Sequence, residues 1–409
     1  MPDDIESLYE EALSALYDDD LDEAVEAMNQ MIDVAPDDPH TMEVQGDVTR
    51  ELEDYSAAEA HYRRLMDVPD EHWKGVGNVS LSALFAVTDR IDKVRGHLTA
   101  AVEHFLKASS ISDAVQAYVS IASFDQNVGE FETSAEALRS AQALISASDD
   151  PEEFDSVTGN VLQMLGTCYR LQGKLDIARE TLNQSLKLFQ KTEEPDEAAN
   201  TLDAIGVIEQ IQGDYDAAEE RHLKAVEINE AIDSAEGLSV NFGNLTMLNI
   251  NRRNFGEAAK WAEKAFEIDE ALDDENGVAH YHLLMGEIEA ERGNFSKAED
   301  HLKTCSELYD ECGDAEDQLC ADGKFAVLYH LQGRFDEAAE INERTLARAQ
   351  QMGHADGIAA TLEYQGHVRQ SQGRIDDARK CWEQALAAYE ELQSVQMIAE
   401  VKGHLAELN

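Results

Sequence analysis

Basic residues are what this sequence most lacks. Only 32 lysines and arginines stand against 85 aspartates and glutamates in 409 residues, a formal net charge of −53. Sequence-independent binding to nucleic acid or to an anionic membrane needs basic patches, so neither is an expected partner. A doublet such as Arg252 and Arg253 is too small to change that. Cysteine is also scarce: five residues, Cys168, Cys305, Cys312, Cys320 and Cys381, odd in number and without a CxxC pair. They read as reduced thiols in a cytoplasmic protein, not as a disulfide framework or a zinc site. Long apolar runs are missing; the stretch near Leu81 to Val87 falls well short of the roughly 18 residues of a membrane span. The first residues, Met1 to Ser7, have neither the basic region nor the apolar core of a signal peptide.

Motifs that carry chemistry are absent too. No GxxxxGK[ST], GxSxG or HExxH occurs. His280 and His282 are two apart, which on a helix turns their side chains about 200° from each other, whereas helical zinc pairs are four apart. His301 would have to join them from the next helix. Pairs of acids arise by chance in so acidic a chain. The expectation is a non-catalytic protein with no cofactor and no metal.

What is present is repetition. Gly173 to Ala178, Gly213 to Ala218, Gly293 to Ala298, Gly333 to Ala338 and Gly373 to Ala378 all read Gly-x-apolar-x-x-Ala, and Arg253 to Ala258 differs only in its first residue. Anchored on the last residue, the copies end at Ala24, Ala58, Val94, Ser134, Ala178, Ala218, Ala258, Ala298, Ala338 and Ala378, spaced by 34, 36, 40 and 44 and then by 40 five times. A fixed period in this range marks stacked helical repeats, in which each unit contacts its neighbours and the core grows along one axis. In the unit from Asn200 to Asp233, Leu202, Ile205, Ile208 and Ile211 make one amphipathic helix, Gly213 ends it, and Asp216 to Glu220 start a second with acids in its first turn. Small residues recur 12 before the anchor (Gly46, Ala122, Gly166, Gly206, Gly286, Ala326, Gly366) and mostly seven after it, where helices cross closely. An apolar residue three before the anchor, such as Tyr215, fills the gap between the pair.

This pattern resembles the tetratricopeptide repeat (TPR), and Pro36 supplies that family's closing proline in the first unit. The 40-residue units are similar to the longer repeats of Pins/LGN-type scaffolds and kinesin light chains. The resemblance implies an all-α, right-handed superhelix of about ten helix pairs. The six extra residues should lengthen the two helices by about a turn in total. We divide the chain into irregular repeats over 1–150, regular repeats over 151–393 and a capping helix over 394–409. In that helix Ile398, Val401 and Leu405 lie at helical spacing. The acid excess, spread over the whole chain, resembles that of cytoplasmic proteins of salt-accumulating halophiles, whose self-repulsion is screened by salt.

By the same resemblance the first helices line an inner wall, drawing on residues 18, 15, 11 and 8 before each anchor and their neighbours. These spacings fall on one helical stripe. The expected partner-binding residues are Asn160, Gln163, Arg170, Asn200, Gln210, Asn241, Asn244, Asn251, Arg252, His280, His330 and His367, with Asp203, Glu287 and Glu363 on the same wall. Amide side chains suit an extended peptide because they both donate and accept, and arginine clamps a carboxylate. The family's inner-wall asparagine ladder is met at Asn244 but not at Met164, Ala204, Leu284, Lys324 or Tyr364. The implied function is a scaffold or adaptor holding a peptide or helical segment of a protein partner. The alternative is a receptor that binds a small peptide and signals through a separate regulator.

Overall fold

The computed structural model describes residues 5–312, 315–392 and 394–408, and every regular element among them is helical. The chain forms two compact units that divide between Cys168 and Tyr169. The first holds α1 (Ile5–Tyr17), α2 (Leu21–Val34), α3 (Pro39–Glu51), α4 (Tyr55–Asp67), α5 (Glu71–Val87), α6 (Ile91–Lys107), α7 (Ile111–Asn127), α8 (Phe131–Ser146), a 3-10 turn (Pro151–Phe154) and most of α9 (Asp155–Leu171). The second holds α10 (Leu175–Thr192), α11 (Pro195–Ile211), α12 (Tyr215–Ala231), α13 (Ala235–Asn251), α14 (Phe255–Ala271) and α15 (Glu275–Glu291). It continues with α16 (Phe295–Cys312), α17 (Ala315–Leu331), α18 (Phe335–Met352), α19 (Ala355–Ser371), α20 (Ile375–Glu391) and α21 (Val395–Glu407). These are ten helix pairs and one closing helix, as the repeat count predicts.

The helices start every 20 residues over most of the chain: Glu71, Ile91, Ile111 and Phe131, then Leu175, Pro195, Tyr215 and onward to Val395. Here the structure corrects the sequence reading. α3 and α4 have 13 residues each and α11 and α12 have 17, so each helix of the pair gains about a turn. The connecting loops keep the same length in both pairs.

The loops are short because one triplet both stops and starts a helix. After α11, the Gly213 N–H donates to Gln210 O at 3.0 Å and the Asp214 N–H to Glu209 O at 2.9 Å, with Gly213 at φ +81°. This Schellman-type closure satisfies carbonyls that the helix end leaves open. Asp214 then accepts from the Ala217 N–H and caps α12. Where glycine is replaced, Asp19, Glu53, Asp89, Ser109 and Arg253 adopt the same positive φ.

All ten anchors are buried, none more than 4% exposed. The degenerate anchor Ser134 is tolerated because its hydroxyl donates to Ala122 O at 2.9 Å, so no polar atom is stranded. The residue three before the anchor is less buried than expected: it opens the second helix, and Ile91 and Ile375 are exposed there. The close crossing instead joins the glycine 12 before the anchor to a bulky residue four after it. A Cβ on Gly46 would fall 2.2 Å from the Tyr62 ring, on Gly206 2.7 Å from His222, on Gly286 2.6 Å from Leu302 and on Gly366 2.3 Å from Trp382. At the carboxy end, Val401 is buried against Trp382, Tyr389 and Ala385, with Ile398 and Leu405 beside it. α21 thus covers the apolar face of the last pair, as the spacing of those three residues implies.

Candidate functional site

Two clefts open in the second unit between first helices of successive pairs. One, about 410 Å³, lies between α13 and α15 and is lined by Val240, Gly243, Asn244, Met247, Gly277, His280, Tyr281 and Leu284, with Ala262 and Asp269 of α14 behind. The other, about 330 Å³, lies between α17 and α19 and is lined by Cys320, Gly323, Lys324, Val327, Gly357, Ala360, Thr361 and Tyr364, with Asn342 of α18 behind. Each of these second-cleft positions is 80 residues, two repeats, beyond its counterpart in the first. The repeat has therefore made the same cleft twice.

Gly243 and Gly323 are equivalent residues in the interiors of α13 and α17, where glycine costs about 1 kcal/mol against alanine. Apart from the helix's own backbone and the adjacent residues, nothing lies within 4 Å of where a Cβ on either would stand, so packing within the protein does not require glycine there. Their effect is to leave the helix backbone open to whatever enters the cleft. Val240 stands 59% exposed at the rim of the first cleft. Deeper in, Asp269 accepts a hydrogen bond from Ser239 Oγ, and burial pushes its carboxyl above the usual aspartate range. In the second cleft, Lys324 Nζ is paired with Glu287 at 2.5 Å, and the buried Asn342 amide nitrogen has no acceptor among the described residues.

The structure gathers only some of the residues that the sequence nominates. Asn244 and His280 face each other across the first cleft. Asn160 and Gln163 belong to the first unit and are half-buried on α9, and Gln210 is half-buried near the end of α11. Asn200 and Asn251 are exposed. Arg170 is half-buried, and loss of water lowers its pKa from the usual arginine value. Four of the nominated residues are held by the protein's own groups. Asn241 is 1% exposed, donating to Asp203 and accepting from Asn229 Nδ2 at 2.8 Å, so it is a core residue. Asp203 is buried with it and accepts from His222 Nδ1 at 2.6 Å. Arg252 is held at 2.6 Å from both Asp216 and Glu219, which turns it toward α12. His330 is tied to Tyr364 Oη and Ser371 Oγ at 3.1 and 2.8 Å. Cys312 lies in α16, but its side chain is outside the described residues.

Tetratricopeptide repeat family models match residues 9–70, 157–231 and 317–391, together just over half of the chain. The chain is a tetratricopeptide repeat protein. No curated protein matches it. Among solved structures, the Rap conjugation gene regulator of plasmid pLS20 in complex with the Phr* peptide is similar at 13% identity and a TM-score of 0.58, over 88% of this chain and 95% of that one. The apo form of RapI aligns at 14% identity and a TM-score of 0.56, over 68% and 99%. A Rap protein complexed with Competence and Sporulation Factor aligns at 12% and 0.51, over 91% and 98%. At such identities the likeness concerns the fold.

Two histidine clusters complete the polar inventory of this TPR protein. His282 and His301 do come together from adjacent helices, Nδ1 to Nδ1 at 3.0 Å, and burial lowers the pKa of both. At the carboxy end, His367 does not lie in a cleft with the other nominated residues. Its ring packs edge-on against His404 of α21 at 4.5 Å between centroids. Burial, with His404 and His330 nearby, drops its pKa to about 4. Glu363, one turn earlier on α19, is also mostly buried and accepts from Tyr389 Oη at 2.9 Å. Sequence reasoning missed His404 entirely. Among the described residues, no helix is long and apolar enough to cross a membrane.

Proposed function

We propose that this protein is a non-catalytic adaptor whose second unit holds an extended peptide segment of a protein partner along its first-helix face. One observation carries the reading: every residue lining the second cleft has a counterpart 80 residues earlier in the first, and each cleft has a helical glycine that the protein's own packing does not require. An extended chain crossing successive repeats would present side chains to equivalent clefts, and each glycine would let its backbone approach the helix. Asn244 and His280 in the first cleft supply polar atoms for that backbone, while Met247, Leu284, Val327 and Tyr364 offer apolar contact. Two of the structurally similar Rap proteins are complexes, one with the Phr* peptide and one with Competence and Sporulation Factor, so arrays of this fold do accept such ligands. A small signalling peptide is therefore the second reading of the same clefts. Exclusion of nucleic acid and anionic membranes rests on the charge of −53.

A photo-reactive residue in place of Val240, at the rim of the first cleft, tests the placement. Cross-linking to a co-purifying protein supports the adaptor, and cross-linking to a peptide of a few residues supports the receptor. A partner that co-purifies without ever cross-linking there places binding elsewhere.

A further inference from the structure

We propose that Glu363, His367 and His404 form a binding site for a first-row divalent cation of the zinc type, which ties the closing helix α21 to the last repeat. Glu363 and His367 are four apart on α19, the spacing that puts two side chains on one helix face one turn apart. His404 reaches the same point from α21. One ligand atom from each of the three lies within 4.8 Å of the others. The His404 Nε2 to Glu363 Oε1 distance is 3.4 Å. That is long for a charge-assisted hydrogen bond, which is about 2.7–2.9 Å. It does match the edge of a tetrahedron whose metal–ligand bonds are about 2.0–2.1 Å, which comes to about 3.4 Å. Two imidazole nitrogens and one carboxylate oxygen are a donor set suited to zinc and its neighbours, and a fourth position is left for water.

The side chains behind the ligands touch them closely. Tyr389 Oη donates to Glu363 Oε2, fixing the carboxylate and leaving Oε1 turned toward His404. Trp382, 1% exposed, donates its indole N–H to Glu363 O at 3.0 Å. The same indole packs edge-on against His367 at 5.2 Å and stacks on His404 at 5.3 Å between ring centroids. One buried aromatic on α20 therefore touches all three ligand residues, and such outer contacts hold metal-binding side chains in place. His367 has no hydrogen-bond partner of its own among the described residues, and its ring nitrogens are not committed to another protein group. Glu400, one turn before His404 on α21, adds negative charge near Glu363.

The test is titration of the full chain, stripped of metal, with cobalt(II) and separately with zinc(II) in molar KCl, where the many surface carboxylates are screened. The expected result is one ion per chain, with the visible absorption of tetrahedral cobalt. His404→Ala and Glu363→Gln should each weaken binding by about tenfold or more, the scale of losing a ligand or its support. His301→Ala, in the separate His282 pair, should leave it unchanged. A wild-type measurement guards against variants that fold poorly: zinc should protect His367 and His404, but not His280, from an imidazole-modifying reagent read by mass spectrometry. Folded wild-type protein that binds no stoichiometric ion, binding equal in His404→Ala, or zinc that leaves His367 and His404 fully reactive would overturn the assignment.

Discussion

At the scale of the residue, the fold depends on a few sites where one atom decides the outcome. Gly366 is one, because a Cβ there would fall 2.3 Å from Trp382 Nε1, and Trp382 is held by its bond to Glu363 O. Gly366→Ala should lower stability by about 2 kcal/mol in denaturant melts, the usual scale of overpacking. Glu53 is the opposite case: a non-glycine at φ +61° in a turn where other loops use glycine. Glu53→Gly relieves left-handed strain of about 1–2 kcal/mol, partly offset by a more flexible unfolded chain, so a gain of about 0.5–1 kcal/mol is expected in the same melts. Glu43 gives a pH effect. Burial raises its carboxyl from 4.5 to about 7, against a hydrogen bond from Tyr9 that lowers it and with Asp47 adding to the rise. The native state then binds the proton more tightly than the unfolded chain does, so stability is full below about pH 4.5 and declines as pH climbs through about 7. Glu43→Gln should match the wild type near pH 4 and exceed it at pH 8 by on the order of 1 kcal/mol. An equal difference at both pH values would contradict this account.

At the scale of the element, the sequence made the helices, loops and cap legible because their signals are local. Gly213 stops a helix and Asp214 starts the next by bonds within a few residues, and Ile398, Val401 and Leu405 show the face of α21 by spacing alone. What lay beyond reach was pairing across helices. The partners of Gly206 and Gly366 are residues four past the anchor, and their identities vary from His222 to Trp382, so no repeated letter points to them. Asn241 looked like a groove residue because it is polar on the expected stripe, yet Asp203 and Asn229 make a buried place for it. Likewise Glu363 and His367 show a helical four-residue spacing, but His404 sits on a cap whose apolar residues dominate its pattern. The clefts were partly legible through Asn244 and His280. Gly243 and Gly323 gave a signal that only the open space around them makes meaningful. Replacing both with leucine should leave the melting temperature at least unchanged, since helix propensity improves.

At the scale of the whole molecule, charge and repetition set the terms. With a net charge of −53, self-repulsion opposes any compact state, and salt screens it. Helicity followed by circular dichroism should fall as KCl is lowered from molar to millimolar; a fold indifferent to salt would remove the halophilic reading. Repetition bears on function more directly, since it has placed one cleft, glycine included, at two points of the second unit. The measurement that tests this most directly is affinity capture from native lysate at high salt, with wild type and the Gly243→Leu, Gly323→Leu double variant compared at equal helicity. Filling both clefts should abolish or strongly reduce the proteins or peptides that the wild type retains. If the folded variant keeps the same partners in the same proportion, the clefts are not where this protein binds.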